Sequence, residues 1–287
     1  MEKFKFYCPT EIIFGKDSEL STASLIKKYN GHNVLIVYGG GSVKRSGLLD
    51  KICQQLSNDN LSYMTLGGVQ LTIERLAQIF LEQQARNAHC LELVTPTHYV
   101  LQIIKALKLA KKQGLSIPVV YNTSGYERVE VLEMLKDYID VFLPDFKYYS
   151  PDTAKEFSHA PDYPQVVKEA IDKMFALVGK PQFKDNIMQK GVIIRHLILP
   201  WYYKESMEIV KYIWEKYHDD VYLSLMNQYT PMYKALTHPK LKRKLTTFEY
   251  DKVVDYALDL GFKNCYIQQG KTATTKFVPH FDGTNVY

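Results

Sequence analysis

Closely spaced cysteines are missing from this chain. The four it has, Cys8, Cys53, Cys90 and Cys265, stand singly, with no C-x-x-C and no C-x-x-x-C-x-x-C. Cysteine-only zinc and iron–sulfur sites bring their ligands in close groups, so neither is written here. Scattered single cysteines are read as small buried hydrophobes. Long apolar runs are missing too: none approaches the ~18 residues of a membrane span. The opening Met1-Glu2-Lys3-Phe4-Lys5-Phe6 has no signal-peptide core. Strong charge of either sign is also lacking, since 36 Lys plus Arg against 31 Asp plus Glu leave +5. The densest basic run, Lys240-Leu241-Lys242-Arg243-Lys244, is expected to be a solvated helix end or loop. A nucleic-acid surface needs basic residues grouped on one face with stacking aromatics, and the sequence shows no such grouping. These absences together give the expectation of a cytoplasmic chain with neither a membrane nor a nucleic acid as partner.

What is there is a core-forming α/β pattern. The chain has 287 residues, 46% of them hydrophobic, enough for one large domain or two small ones. Apolar β-branched runs alternate with amphipathic stretches. Strands are expected at 34–38, 61–66, 91–95, 117–121, 141–143, 192–199, 221–226 and 265–268. Helices are expected at 71–87, 99–113, 129–138, 164–178, 204–217 and 247–260, several stopped by a glycine. The segment 148–164, rich in Pro, Asp, Ser and Tyr, reads as loop with short turns. Strands separated by helices imply a parallel sheet, closed or nearly closed as a barrel, or open and doubly wound.

The first seventy residues carry Phe6-Tyr7-Cys8-Pro9-Thr10-Glu11-Ile12-Ile13-Phe14-Gly15-Lys16. A strand follows, running into Tyr38-Gly39-Gly40-Gly41-Ser42-Val43-Lys44-Arg45. In order and spacing this resembles the opening of iron-containing alcohol dehydrogenases of the butanol-dehydrogenase type. In that family the glycine-rich turn lies near the adenosine ribose of NADPH. The resemblance therefore makes Gly39, Gly40, Gly41 and Ser42 a nucleotide-like turn; a plain strand-to-helix turn is the other account of the same residues. The family's second glycine motif and its metal-binding helical domain do not follow, so NADPH-linked hydride transfer is not expected.

From Leu71 onward polar residues gather at successive strand ends: Val94-Thr95-Pro96-Thr97-His98, Asn122-Thr123-Ser124-Gly125-Tyr126-Glu127, Pro144-Asp145-Phe146-Lys147, Arg195-His196 and Asn227-Gln228. The C-terminal mouth of a parallel α/β sheet is where such folds build sites. Asp145 and Lys147, two apart in extended backbone, point to one face. Together they could hold the charged end of an amino-acid-like ligand, with Asn122, Thr123 and Ser124 adding neutral hydrogen bonds and Arg195 a fixed charge. A structural ion pair is the plainer account of Asp145–Lys147, and a capping turn that of 122–125. His98 and His196 are expected to satisfy backbone rather than to catalyse, and Tyr148 and Tyr149 to pack.

In order and identity these motifs resemble a radical-SAM subgroup related to pyruvate formate-lyase activating enzymes. The resemblance implies a partial or closed (β/α) barrel of radical-SAM type. It implies S-adenosylmethionine at Asn122, Thr123, Ser124, Asp145, Lys147, Arg195 and Gln228, a [4Fe–4S] cluster, and a protein substrate. The family's three cluster cysteines lie just upstream of the helix matching 71–87. Here that place reads Gly67-Gly68-Val69-Gln70, so neither catalytic nor metal-ligating residues are assigned. The expected domains are a dehydrogenase-like βαβ fragment, 1–70, and a radical-SAM-like barrel without its cluster loop, 71–287. The strand 61–66 is expected to replace the first barrel strand and to pair in parallel with 91–95.

Overall fold

The structure, a computed structural model, describes residues 18–28, 31–38, 42–67 and 72–268. The chain divides into two compact units, Met1–Thr72 and Ile73–Tyr287.

In the first unit α1 (Thr22–Lys28) leads to β1 (Asn33–Tyr38). Two helices, α2 (Ser42–Arg45) and α3 (Leu48–Asn58), then carry the chain to β2 (Ser62–Gly67). β1 and β2 pair in parallel from Asn33↔Ser62 to Tyr38↔Gly67, so the unit is a βαβ crossover. Among the described residues, Ala23, Leu56 and Leu61 form a core cluster, with Ile26, Val34, Ile36 and Ile52 packed around them. Gly47, at φ 71, starts α3 in a left-handed turn that glycine adopts without Cβ strain.

The second unit begins with α4 (Ile73–Ala85), β3 (Leu91–Val94), α5 (Val100–Lys112), β4 (Val119–Thr123), α6 (Val129–Met134) and β5 (Val141–Pro144). It continues through α7 (Pro151–Ser158), α8 (Tyr163–Val178), β6 (Gln182–Lys184) and β7 (Ile187–Leu197). It ends with α9 (Tyr203–Tyr217), β8 (Tyr222–Met226), α10 (Thr247–Leu260) and β9 (Cys265–Ile267). The sheet has seven strands in the order β3-β4-β5-β7-β8-β9, with β6 paired beside β7. Every pairing along that path is parallel, and only β6–β7 is antiparallel. The α/β class and the parallel sheet of the sequence reading are therefore present.

One part of that reading is corrected. Among the described residues β2 is laddered to β1 and β3 to β4, and no ladder joins β2 to β3. The strand at 61–66 thus does not stand in as a first barrel strand. Its hydrogen-bonding edge is matched in length by β1, six residues to six, and Leu61 buries with Leu56 and Ala23 in the first unit's own core.

Helix periodicity explains the core of the second unit. α5 buries Val100, Ile103, Ala106, Leu107 and Ala110, and α8 buries Val167, Ala170, Ile171, Met174 and Val178. These are the three-and-four spacings of one helix face. On the sheet, Val192, Ile194 and His196 alternate inward along β7, as do Leu223 and Leu225 along β8. Each fully buried Ile or Leu contributes about 1.5–3 kcal/mol.

Two elements escape the sequence pattern. The expected loop 148–164 contains α7, started by Ser150, whose hydroxyl accepts the Asp152 N–H, with Pro151 in the first turn. The β6–β7 hairpin turns through Asp185 and Asn186, both left-handed at φ 51 and 62, the pairing that two-residue hairpin turns favour.

Glu249 ties the far side of the fold together. It closes a capping box with Thr246 at the start of α10. It also accepts the Trp201 N–H at 2.6 Å and both arms of Arg243 at 2.8 Å. Burial works against its charge, but the Arg243 fork and the Trp201 and Thr246 donors win, holding its carboxyl at about 2.

Gly125 locks the turn after β4 against β5. Its φ is 78, and a Cβ there would lie 2.3 Å from the Asp145 carbonyl oxygen and 2.7 Å from Val167 Cγ2. Gly125→Ala should lower unfolding stability by on the order of 3 kcal/mol, from backbone strain plus overlap that no rotamer relieves. Denaturant unfolding checks this, and a loss under about 1 kcal/mol would mean that the turn is free to move.

Candidate functional site

Four neighbouring strands contribute one polar side chain each to one face, three of them at the C-terminal ends and Glu92 from the first half of β3. β3 contributes Glu92, β4 contributes Asn122, the residue after β5 is Asp145, and β7 contributes Arg195. Alternation along each strand sets this face, and a lone parallel bridge between Asp145 and Arg195 extends the β5–β7 pairing to the site. Lys147, two beyond Asp145, returns to that face.

The five side chains form one continuous row. Asn122 Nδ2 donates to Glu92 Oε1 at 2.6 Å, and Asn122 Oδ1 accepts from Arg195 Nη2 at 2.6 Å. Arg195 Nε donates to Asp145 Oδ1 at 2.8 Å, and Lys147 Nζ donates to Asp145 Oδ2 at 2.8 Å. The Asp145 side chain is 17% exposed, Arg195 25% and Lys147 39%. The partly buried Asp145 is paired with both cations, as a carboxylate taken from water needs to be, while Glu92 at the end of the row is exposed. Lys147, the most exposed of the three, is also the one a ligand would reach first. Chemically the row offers donors for a carboxylate beside acceptors for an ammonium, the two ends of an amino acid.

The turn is held from behind. The Tyr163 hydroxyl accepts the Lys147 N–H at 2.9 Å and lies 2.8 Å from the Asp145 carbonyl oxygen and 2.9 Å from that of Ser124. Burial pushes its phenol well above the ordinary range, so it stays a neutral donor. His196, alternating to the opposite face from Arg195, lies 2.6 Å from the Phe146 carbonyl and 2.8 Å from Ser206 Oγ. A carbonyl only accepts, so Nδ1 carries the proton. Burial holds the ring down to about 4 and hence neutral, leaving Nε2 to accept from Ser206. A small cleft beside this turn is lined by Lys147, Tyr148, Thr153, Tyr202, Glu205 and Ser206. Glu205 is already engaged there by the Tyr149 and Ser150 N–H groups and the Thr153 hydroxyl.

Of the residues singled out in the sequence, the structure joins Asn122, Asp145, Lys147 and Arg195. Thr123 faces the other way, donating to the buried Glu127. Ser124 caps its own turn, its hydroxyl accepting the Tyr126 N–H at 3.5 Å. Gln228 lies beyond β8 and accepts from Gln268 at 3.2 Å, outside the row. Gly39, Gly40 and Gly41 lie outside the described residues, and Ser42 begins the four-residue α2. The Asp145–Lys147 ion pair also forms as its plainer account expects. Tyr148 packs on Phe157 and Tyr163, and Tyr149 on Tyr212.

Two acidic residues were missed. Glu92 is the single charge in an otherwise apolar strand, a signal that was available. Glu127 is 3% exposed and receives the hydroxyls of Thr97 and Thr123. Nothing local in the sequence marks it as buried.

A three-thiolate cluster does not fit the residues described. Cys53 sits on α3 in the first unit. Cys90 immediately precedes β3 and Cys265 opens β9, at opposite edges of the second unit's sheet. Burial and the Glu92 carboxylate raise the Cys90 thiol, and burial pushes Cys265 up to about 11. Cluster ligation needs thiolates. Cys8 lies outside the described residues. Among those described, no group of three His, Cys, Asp or Glu side chains could hold a metal ion, and no helix is long and apolar enough to cross a membrane.

Comparison with known proteins finds partial likenesses. The iron-containing alcohol dehydrogenase model matches residues 9–91, running past Thr72 through α4 to the first residue of β3. NADH-dependent butanol dehydrogenase B of Clostridium acetobutylicum is 44% identical over 70 residues, 24% of this chain and 18% of that enzyme. An uncharacterized protein of Methanocaldococcus jannaschii is 32% identical over 171 residues, 58% of this chain and 45% of that protein. The chain thus spans less than half the length of these relatives. Among solved structures, a domain of pyruvate-formate lyase-activating enzyme from Bacteroides vulgatus aligns with TM-score 0.45 and 14% identity. That alignment covers 63% of this chain and 98% of the domain.

His196 makes stability depend on pH. Its folded value of about 4 lies below the ordinary 6.5, so between these two pH values the unfolded chain binds more protons. The contribution is complete above pH 6.5 and is lost as pH falls toward 4, with a total on the order of 3 kcal/mol. Replacing the ring by Gln at 196 should flatten the fall in unfolding free energy across that window. An unchanged slope would show that His196 does not titrate on unfolding.

Proposed function

We propose that the second unit is a radical-SAM, activase-like fold that has lost [4Fe–4S] chemistry. In this reading it keeps a weak mouth for S-adenosylmethionine or a similar adenosyl amino acid, behind an N-terminal piece of an iron-type alcohol dehydrogenase. The observation that carries the reading is the row Glu92–Asn122–Arg195–Asp145–Lys147 at the C-terminal strand ends. The sequence motifs around it supply the family.

The row also sets the affinity. A ligand carboxylate reaching Lys147 or Arg195 must displace Asp145 from one of them, and a ligand ammonium must compete with those same cations for Asp145. What is gained is the difference between two charge-assisted pairings, not the full value of one. In the family the cluster iron anchors the amine and carboxylate, and no thiolate set supports that anchor here. Losing it costs two to three powers of ten or more in affinity, leaving a dissociation constant of about a millimolar or weaker. Reductive cleavage has no electron source in this arrangement, and a protein partner of the activase kind would be met without radical transfer.

The dehydrogenase match favours a second reading, in which the first unit binds a nicotinamide nucleotide and the whole is a non-catalytic chimera. NADH and NADPH are both worth testing, since the matched relatives include enzymes named for each. A hydride-transfer site is not proposed, because the match ends before a metal-binding domain.

NMR titration of the full chain separates the readings. S-adenosylmethionine should shift resonances of the row at millimolar concentration, and Lys147→Ala should abolish those shifts while sparing any caused by NADH or NADPH. Unchanged S-adenosylmethionine shifts in Lys147→Ala would place the ligand elsewhere. Absence of shifts with all three would favour the inert chimera.

Anaerobic reconstitution with iron and sulfide should leave no stable [4Fe–4S] absorbance. A near-stoichiometric cluster, lost on changing Cys90, would restore a radical enzyme.

A further inference from the structure

The basic run at 240–244 is the loop its composition suggests, with its three lysines exposed, but two of its residues turn inward. Leu241 is 7% exposed, and its carbonyl accepts the Tyr229 hydroxyl at 2.9 Å. The N–H groups of Lys240 and Leu241 both point to His238 Nδ1 at 3.2 Å, and His238 Nε2 meets Glu156 at 3.0 Å. Arg243 is forked onto Glu249. With Leu241 and Arg243 turned inward, Lys240, Lys242 and Lys244 are left exposed.

The fold brings two aromatic rings to this run from the loop after β7. The Arg243 guanidinium lies over the Trp201 ring, 4.9 Å from its centroid, and Lys240 lies over the Tyr202 ring at 4.9 Å. Trp201 is 61% exposed and sits at φ 71, a left-handed backbone unusual for a bulky residue. It is kept there by the bond from its N–H to the buried Glu249. A large aromatic residue held out in solvent against its backbone preference, and pinned by a buried carboxylate, marks a place where strain is tolerated for a purpose.

We infer that Trp201, with Lys240 and Lys242, forms a docking surface for an acidic segment of a partner protein. An exposed Trp is a residue type that anchors protein interfaces, and the surrounding lysines complement a negative partner. Nucleic acid is the poorer fit. Each ring already has a cation on a face that a base would need for stacking.

The test uses the full chain with a fluorescein-labelled Asp/Glu-rich peptide containing a central Leu, and a labelled oligodeoxythymidine of equal charge. Anisotropy and tryptophan emission are read together. The second tryptophan, Trp214, is packed against Phe262 and His218, so an emission change reports on Trp201. The peptide should bind more tightly than the oligonucleotide and change the emission. Trp201→Gly should weaken it roughly tenfold, Trp201→Phe should keep most of the binding, and Lys240→Gln with Lys242→Gln should weaken it roughly fivefold. Circular dichroism confirms folding. If the glycine variant unfolds, the double lysine variant, changed only at exposed positions, carries the test. Tighter binding of the oligonucleotide, no peptide binding, or peptide binding indifferent to both the tryptophan and the lysine changes would overturn the proposal.

Discussion

One carboxylate between two cations organises the C-terminal end of this sheet. Asp145 takes Arg195 on one oxygen and Lys147 on the other, both at 2.8 Å, while 17% exposed. A half-buried Arg without such a partner would carry a desolvation cost of several kcal/mol. Around this pair the rest follows. Arg195 has an arm left for Asn122, Asn122 has an amide left for Glu92, and the four strands are tied across their ends. Gly125 brings the neighbouring turn against the Asp145 backbone, and Tyr163 bonds the main chain on either side of Phe146. The same balance makes the mouth reluctant: whatever binds there must offer Asp145 or its cations something as good as what they already hold.

Much of this was legible in the sequence, for a clear reason. The polar residues of the row interrupt apolar strands at their ends, and period-two alternation decides which of them share a face. That is why Asp145 and Lys147 could be placed together, with Arg195 near them. Thr123 was misplaced by the same logic, applied one residue too loosely. It neighbours Asn122 in sequence, so it must face the opposite side, where Glu127 takes its hydroxyl. Gln228 shares the right end of the sheet but not the right strand neighbours. The missed α7 had a readable start in Ser150-Pro151-Asp152, outweighed by the polar composition around it. The β2 pairing could not be read at all, because nothing in a strand's own sequence names its partner when several strands have one buried face.

The two units differ in how securely they are built. The second has a continuous core running from Ala77 to Phe262. Among the described residues, the first packs Ala23, Leu56 and Leu61 with a few half-buried side chains beside a two-stranded ladder. Small sheets of this kind are marginal by themselves. Helix α4, which opens the second unit, is matched by the dehydrogenase family together with the first unit. The family match and the compact units therefore draw their boundaries at different places, and a truncation chosen from the match alone would cut into the second unit's packing.

His196 touches the carbonyl of Phe146, the residue between the two charged ones, from the far side of the sheet. Its other ring nitrogen accepts the hydroxyl of Ser206 on α9. Position 196 thus touches 206 directly and 145 and 147 only through the Phe146 backbone between them. Among diverging relatives the histidine and the serine should be exchanged as a pair, while the charged pair in front is free to drift with whatever the mouth binds. A lineage could then change its ligand many times over while leaving the same buried polar contact behind the sheet as the trace of its descent.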